Sequence, residues 1–96
     1  MTGSDDTESR MRDVIIIWDL PTDPDGNTYH ITEGHDVTIE DVEEILRNPD
    51  GEDDWNRSSG RPCASGWTST GKYVFVAYEI AWDDPLMLYP VTAYPL

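Results

Sequence analysis

The stretch "KYVFVAYEI" (72–80) constrains the fold of this chain more than any other. Tyr73, Phe75 and Ala77 would share one face of a strand, and Val74, Val76 and Tyr78 the other, so both faces are apolar apart from the ends. A strand wetted on one side alternates apolar with polar residues; one that does not alternate belongs in the middle of a sheet. Ser69-Thr70-Gly71 precedes it, a three-residue hairpin loop with glycine where a left-handed residue is needed. The partner strand is then "RPCASGWT" (61–68). Pairing Thr68 with Lys72 sets Trp67 opposite Tyr73, Ser65 opposite Phe75, Cys63 opposite Ala77 and Arg61 opposite Glu79.

Residues 1–13 are polar and without periodicity, and read as a disordered tail. "VIIIW" (14–18) is a short β-branched run, a strand buried on at least one face. "DLPTDPDGN" (19–27) is a loop by its prolines, aspartates and glycine. Asn27 can cap a short helix over 28–33, with Gly34 closing it. Thr38 begins a second helix, with Asp41 at its third position and Val37 and Val42 at the hydrophobic-staple positions. Ile39, Val42, Ile45 and Leu46 form its apolar stripe, and Glu40, Asp41, Glu43 and Glu44 fall mostly on the solvent side. Pro49 stops it. A short edge strand is expected around 55–58. "LMLYPVTAY" (86–94) reads as the last strand, with Pro90 marking an edge or a bulge. The order β-α-α-β-β-β-β gives one α+β domain over 14–96, two helices packed on one face of a mostly antiparallel sheet.

Charge narrows the function. Twenty acids against six bases leave a net charge of −14, and 13 of the acids are Asp while Lys72 is the single lysine. Such a chain repels nucleic acid at long range and steers toward basic partners. The same bias suits concentrated salt, where screening weakens surface repulsion. No apolar run reaches the roughly 20 residues of a membrane span, so no membrane partner is expected. A lone Cys63 cannot form an internal disulfide and fits a reducing cytoplasm. Oligomeric state is left open.

Few residues carry recognisable chemistry. His30 and His35 are five apart with Gly34 between them, which is not the spacing of a helical two-histidine metal site. Neither a metal nor another cofactor is expected. His30 is a candidate proton carrier or a histidine satisfied by a backbone carbonyl; His35 shapes the turn between the helices. Arg57, Arg61 and Lys72 cluster on or beside the hairpin, and "SSGR" (58–61) could offer backbone N–H groups to a phosphate. The competing reading is structural: Arg61 paired with Glu79 across the strands, and a solvated Lys72. Cys63 reads as a small core residue, and no serine sits in a nucleophile elbow. Trp67, Tyr73, Tyr78, Tyr89 and Tyr94 could stack on bases, but in so small a domain most are expected in the core.

The helix turn "EGHDVTIEDVEEILRNP", the spaced "GR…G.T..GKYVFVAYE" and the closing "YPVTAY" together resemble the BrnT-type toxins of bacterial type II toxin–antitoxin pairs. The resemblance covers about residues 14–94. It implies a RelE/ParE-like fold and metal-free endoribonuclease activity on mRNA, with basic and hydroxyl side chains on the open face of the sheet and a cognate antitoxin covering that face. Carried over to this sequence, it makes Arg61 the group that stabilises the transition state and His30 or Tyr94 the proton carrier. Lys72, Arg57 and Tyr78 would hold RNA. The last strand reads Ala93-Tyr94 where the family has Ala-Arg. The alternative expectation is a non-catalytic acidic interaction domain on the same fold, binding a basic protein.

Overall fold

The computed structural model describes residues 12–33 and 36–96. Seven elements follow one another: β1 (Ile15–Ile16), α1 (Asn27–Thr32), α2 (Ile39–Arg47), β2 (Asp54–Asn56), β3 (Arg61–Trp67), β4 (Tyr73–Asp83) and β5 (Leu86–Pro95). The strands form one five-stranded sheet in the order β1-β5-β4-β3-β2, antiparallel except where β1 runs parallel to β5. The expected α+β order is therefore present, with β4 at the centre. Among the described residues, no helix is long and apolar enough to cross a membrane.

The hairpin of β3 and β4 carries the pairing anticipated from its loop. Cys63 faces Ala77, Ser65 faces Phe75 and Trp67 faces Tyr73. Gly71 takes φ +91°, a left-handed conformation that costs glycine little. Thr68 closes the loop: its N–H donates to the Lys72 carbonyl at 2.7 Å and its hydroxyl accepts from the Lys72 N–H at 3.0 Å.

The second hairpin, β4 with β5, has two interruptions. Ala77 faces Thr92 but Tyr78 faces Pro90, leaving Val91 as an extra residue on β5. Farther on, Ile80 faces Leu88 but Trp82 faces Met87, leaving Ala81 extra on β4. Pro90 thus adjoins a bulge, and because β1 pairs only with Met87 and Leu88 it also lies where the outer side of β5 has no neighbouring strand among the described residues, so both expected placements apply. Proline has no N–H to give the ladder, which is why it is tolerated at such an irregularity.

Both helices pack on one face of the sheet. The face-setting residues are Ala64 and Gly66 of β3, Val74, Val76 and Tyr78 of β4, and Leu88 and Ala93 of β5, all buried. Val42, Ile45 and Leu46 of α2 and Ile31 of α1 are fully enclosed against them. Each such side chain contributes about 1.5–3 kcal/mol on burial. Gly66 sits at a close approach: a Cβ there would stand 3.1 Å from the Asp50 backbone nitrogen and would press on the loop after α2, which crosses the edge of β3 and whose Asp50 N–H donates to Ser65 O.

Helix α2 opens with the capping box expected at Thr38: the Asp41 N–H donates to its hydroxyl at 3.1 Å, and Asp41 accepts from the Thr38 N–H at 3.1 Å. Asp41 is not on the solvent side, however; it is buried, and Lys72 Nζ lies 2.7 Å from its Oδ2. Helix α1 differs more. Its N-cap is Gly26, not Asn27, and its C-cap is Glu33; Gly34 and His35 lie outside the described residues. Asn27 is instead a buried knot. Its side chain donates to Ile17 O and Pro90 O and accepts from the Asp19 N–H, while its own N–H donates to Asp19 Oδ2. An amide that fills this many bonds ties α1 to β5 and to the loop after β1.

The edges depart from expectation. Strand β1 is two residues rather than five, with Ile15 exposed, and β2 covers 54–56 rather than 55–58. Residues 1–11 lie outside the described residues. Arg12, read as part of the tail, is anchored: its N–H donates to Arg47 O, its Nε to Leu46 O at 2.5 Å, and its Nη2 to Asp53 at 3.0 Å.

Candidate functional site

The face of the sheet away from the helices carries the candidate site. Strand register sets its side chains in rows: Trp67 with Tyr73, then Ser65 with Phe75 and Tyr94, then Cys63 with Ala77 and Thr92, then Arg61 with Glu79 and Tyr89. Trp67 and Tyr73 meet edge to face with centroids 5.0 Å apart, and Phe75 and Tyr94 lie 5.0 Å apart at a 32° tilt. Ser65 Oγ and Tyr73 Oη share a hydrogen bond of 3.3 Å. Trp67 is 63% exposed and Tyr94 37%, while Tyr73 and Phe75 are half-buried. At the far end the face ends in Met87, beside Ile15 on one side and Trp82 on the other. Aromatic rings in such offset and edge contacts stabilise one another by about 0.5–1.5 kcal/mol. They keep their outer surfaces available.

Of the residues singled out from sequence, Arg61 and Tyr94 do lie on this face. They are separated by two rows and two strands, which is about 13 Å along the strands and about 10 Å across them. Arg61 is in the anticipated ion pair, Nε to Glu79 Oε2 at 3.2 Å, with both side chains well exposed. Arg57 is in the turn between β2 and β3, exposed, and is the basic side chain without an ion pair among the described residues. His30 is on the exposed side of α1, where it borders a shallow hollow with Tyr89 and Val91.

Lys72 and Tyr78 are turned to the other side. Lys72 Nζ reaches Asp41 and also donates to Asp36 O at 3.1 Å. Its hydrogen bond to Asp41 holds the ammonium's pKa above 10.5. Burial alone would push the Asp41 carboxyl up, but the bonds from Lys72 and from Thr38 bring it below 3.8. Tyr78 is buried on the helix side and donates to Asp53 Oδ2; burial first, and then the hydrogen bond to Asp53, push its hydroxyl well above its usual range. The six residues therefore do not converge on one substrate atom.

The turn "SSGR" is also occupied by its own bonds. Ser58 and Ser59 N–H both donate to Asn56 Oδ1, Gly60 N–H to Asn56 O and Arg61 N–H to Ser59 Oγ. The backbone donors that a phosphate would need are already used. Cys63 is buried, and burial together with Asp54 and Asp53 raises its thiol pKa, the opposite of what an attacking thiolate requires. Among the described residues no three His, Cys, Asp or Glu side chains gather as a metal would need.

Two features escaped the sequence reading. One is the exposure of the Trp67–Tyr73 and Phe75–Tyr94 row; two apolar faces on β4 say that both need cover, not that one lacks it. The other is Arg12, Asp53 and Tyr78 meeting behind the sheet. Nothing local to "RMRD" marks Arg12 as a structural residue.

Fold and site together define a small α+β domain with two helices on one side of a five-stranded, mostly antiparallel sheet and an aromatic face on the other. No protein-family model matches the chain, and neither a curated protein nor a solved structure is significantly similar to it.

Proposed function

We propose that this chain is a non-catalytic interaction domain whose open sheet face docks on a basic protein. One observation carries the reading: the aromatic rows Trp67–Tyr73 and Phe75–Tyr94 stand open on one face, with Asp54 one row beyond them and the Glu79–Arg61 pair two rows beyond, on a chain of net charge −14. Exposed aromatic rings flanked by acid suit arginine and lysine side chains, through cation–π contact and charge pairing. A second copy of the chain would bring the same large negative charge and be repelled at low salt.

The test is site-specific photocrosslinking in extract of the source cells. A photoreactive residue at position 67 is expected to capture one basic protein, less of it when Glu79→Lys is added. A probe at Glu40, on the exposed side of α2, is expected to capture none. Equal capture from both positions, or an acidic partner, would overturn the reading.

A second reading keeps the BrnT-like, metal-free ribonuclease with its cognate antitoxin. It rests on Arg61 and Tyr94 lying on the same open face, where their two-row, two-strand separation lets only one of them reach a given phosphate. It requires RNA or the antitoxin to break the Arg61–Glu79 pair, since a transition state with added negative charge needs an arginine free to meet it. Chelator-resistant cleavage of a defined RNA, abolished by Arg61→Ala, would establish it in place of the first.

A further inference from the structure

The open face ends at Trp67 in a hollow of about 490 Å³, lined by the indole and by Asn48, Pro49, Asp50 and Gly51 of the loop that follows α2. Both walls are held in place. Asn48 N–H donates to Glu44 O at 3.0 Å, which sets the direction in which the loop leaves α2. Asp50 N–H donates to Ser65 O at 2.8 Å, which pins the loop to the outer edge of β3. The indole is steadied from β4, where Tyr73 meets it edge to face at 5.0 Å.

The groups that line the hollow are uncommitted. Asp50 and Asn48 are exposed, and neither side chain bonds to any described residue. The indole is 63% exposed. Asp50 is the one charged residue of the lining, and Arg47, the base next to the loop in sequence, is taken up by Glu43 at 3.2 Å. An anion would therefore meet an unpaired carboxylate on a chain of net charge −14. A neutral apolar group would find one ring among polar walls. A cation gains from both, by charge pairing with Asp50 and by contact with the face of the indole. Among cations, a guanidinium is planar, weakly hydrated and rich in donors, so it can lie on a ring while bonding to a carboxylate and an amide oxygen. An ammonium holds its water more tightly and has no plane to stack.

We infer that this hollow receives an arginine side chain of the basic protein that docks on the open face, its guanidinium on Trp67 and its N–H groups on Asp50 and Asn48. That a protein carries the arginine rests on the docking reading given above; the affinity of the hollow for a guanidinium does not. Trp67 is then the point at which the partner is anchored, and the loop after α2 belongs to the docking surface although it lies off the sheet.

The test is an NMR titration of the full ¹⁵N-labelled chain at fixed ionic strength with the Nα-acetyl, N-methylamide derivatives of arginine, citrulline and lysine. The arginine compound is expected to give saturable shifts centred on the Trp67 indole N–H and the amides of Asn48, Asp50 and Gly51. Citrulline, the neutral counterpart of the same shape, should bind at least about fivefold more weakly, since it loses both the charge pairing and the cation–π attraction. The lysine compound should also bind more weakly than arginine. Asp50→Asn and Trp67→Leu are each expected to weaken the arginine compound about threefold, and together to remove saturable binding. Both side chains are exposed, so the spectra of these variants should stay dispersed. Shifts that do not saturate, that spread over the acidic surface, that citrulline or lysine matches, or that survive the double substitution would overturn the proposal. Photocrosslinking from position 67 separates the two failures. Capture of a basic protein without arginine binding keeps the docking reading and overturns the hollow. Arginine binding without such capture overturns the docking reading and, with it, the protein as the source of the arginine.

Discussion

Asp41 does three things at once. It closes the capping box with Thr38, sits by the positive end of the α2 dipole, and receives Lys72 from the hairpin loop. The sequence displays the first two, through Thr38 and the spacing to Asp41; the third joins residues 31 positions apart and leaves no local trace. This contact has a signed pH dependence. The Asp41 carboxyl lies below its ordinary 3.8 when folded, so its contribution is complete above that pH and is lost as pH falls through the lower folded value. The Lys72 ammonium lies above its ordinary 10.5, so its contribution is complete below that pH and is lost as pH rises through the higher folded value. Lys72→Met is expected to lower the thermal midpoint at neutral pH and to flatten both the acid and the alkaline shoulders of the stability profile. A variant whose midpoint falls equally at every pH would show that packing of the lysine stem, rather than the charge pair, is what matters.

The hairpin of β3 and β4 was the most legible element. A three-residue loop ending in glycine fixes the register, and the register fixes every cross-strand partner from Trp67 to Cys63. Legibility fails at the edges. Strand β1 is shortened because the loop after it must place Asp19 against Asn27 and Tyr89, a set of bonds made across the molecule. It fails again within β5, where Val91 switches the alternation: Ala93 faces the helices on one side of it and Leu88 on the other, so the strand has no single pattern to read. The candidate site shares this division. The Arg61–Glu79 pair followed from the loop, while the side to which Tyr78 turns depended on which face the helices took. A double-mutant cycle on Arg61 and Glu79 is expected to give a coupling of no more than about 1 kcal/mol, because both side chains are well exposed. A coupling several times larger would mean that the pair is shielded in solution and that the open face is covered.

At the scale of the whole molecule, the surplus of acid works against the folded state. Acids lie on the loop after β1, on α2, on the loop before β2 and at the tip of the second hairpin, and the described bases are mostly taken up in ion pairs. Compaction brings like charges within one screening length of each other, about 10 Å at 0.1 M salt and about 3 Å at 1 M. The urea midpoint is therefore expected to rise steadily as KCl goes from 0.1 to 1 M. A flat or falling midpoint would mean that the acids are stabilised by specific partners and do not simply repel. Length is distributed with equal economy. The two extra residues of the long hairpin, Ala81 and Val91, are on opposite strands, and each is absorbed where it stands: the pairs on its two sides keep their faces. They behave like loose stitches in a seam, either of which can be unpicked without shifting the cloth beside it. Deleting one alone is therefore expected to close its own bulge and to leave every other cross-strand contact in place, so in a related chain either could be gained or lost without the other.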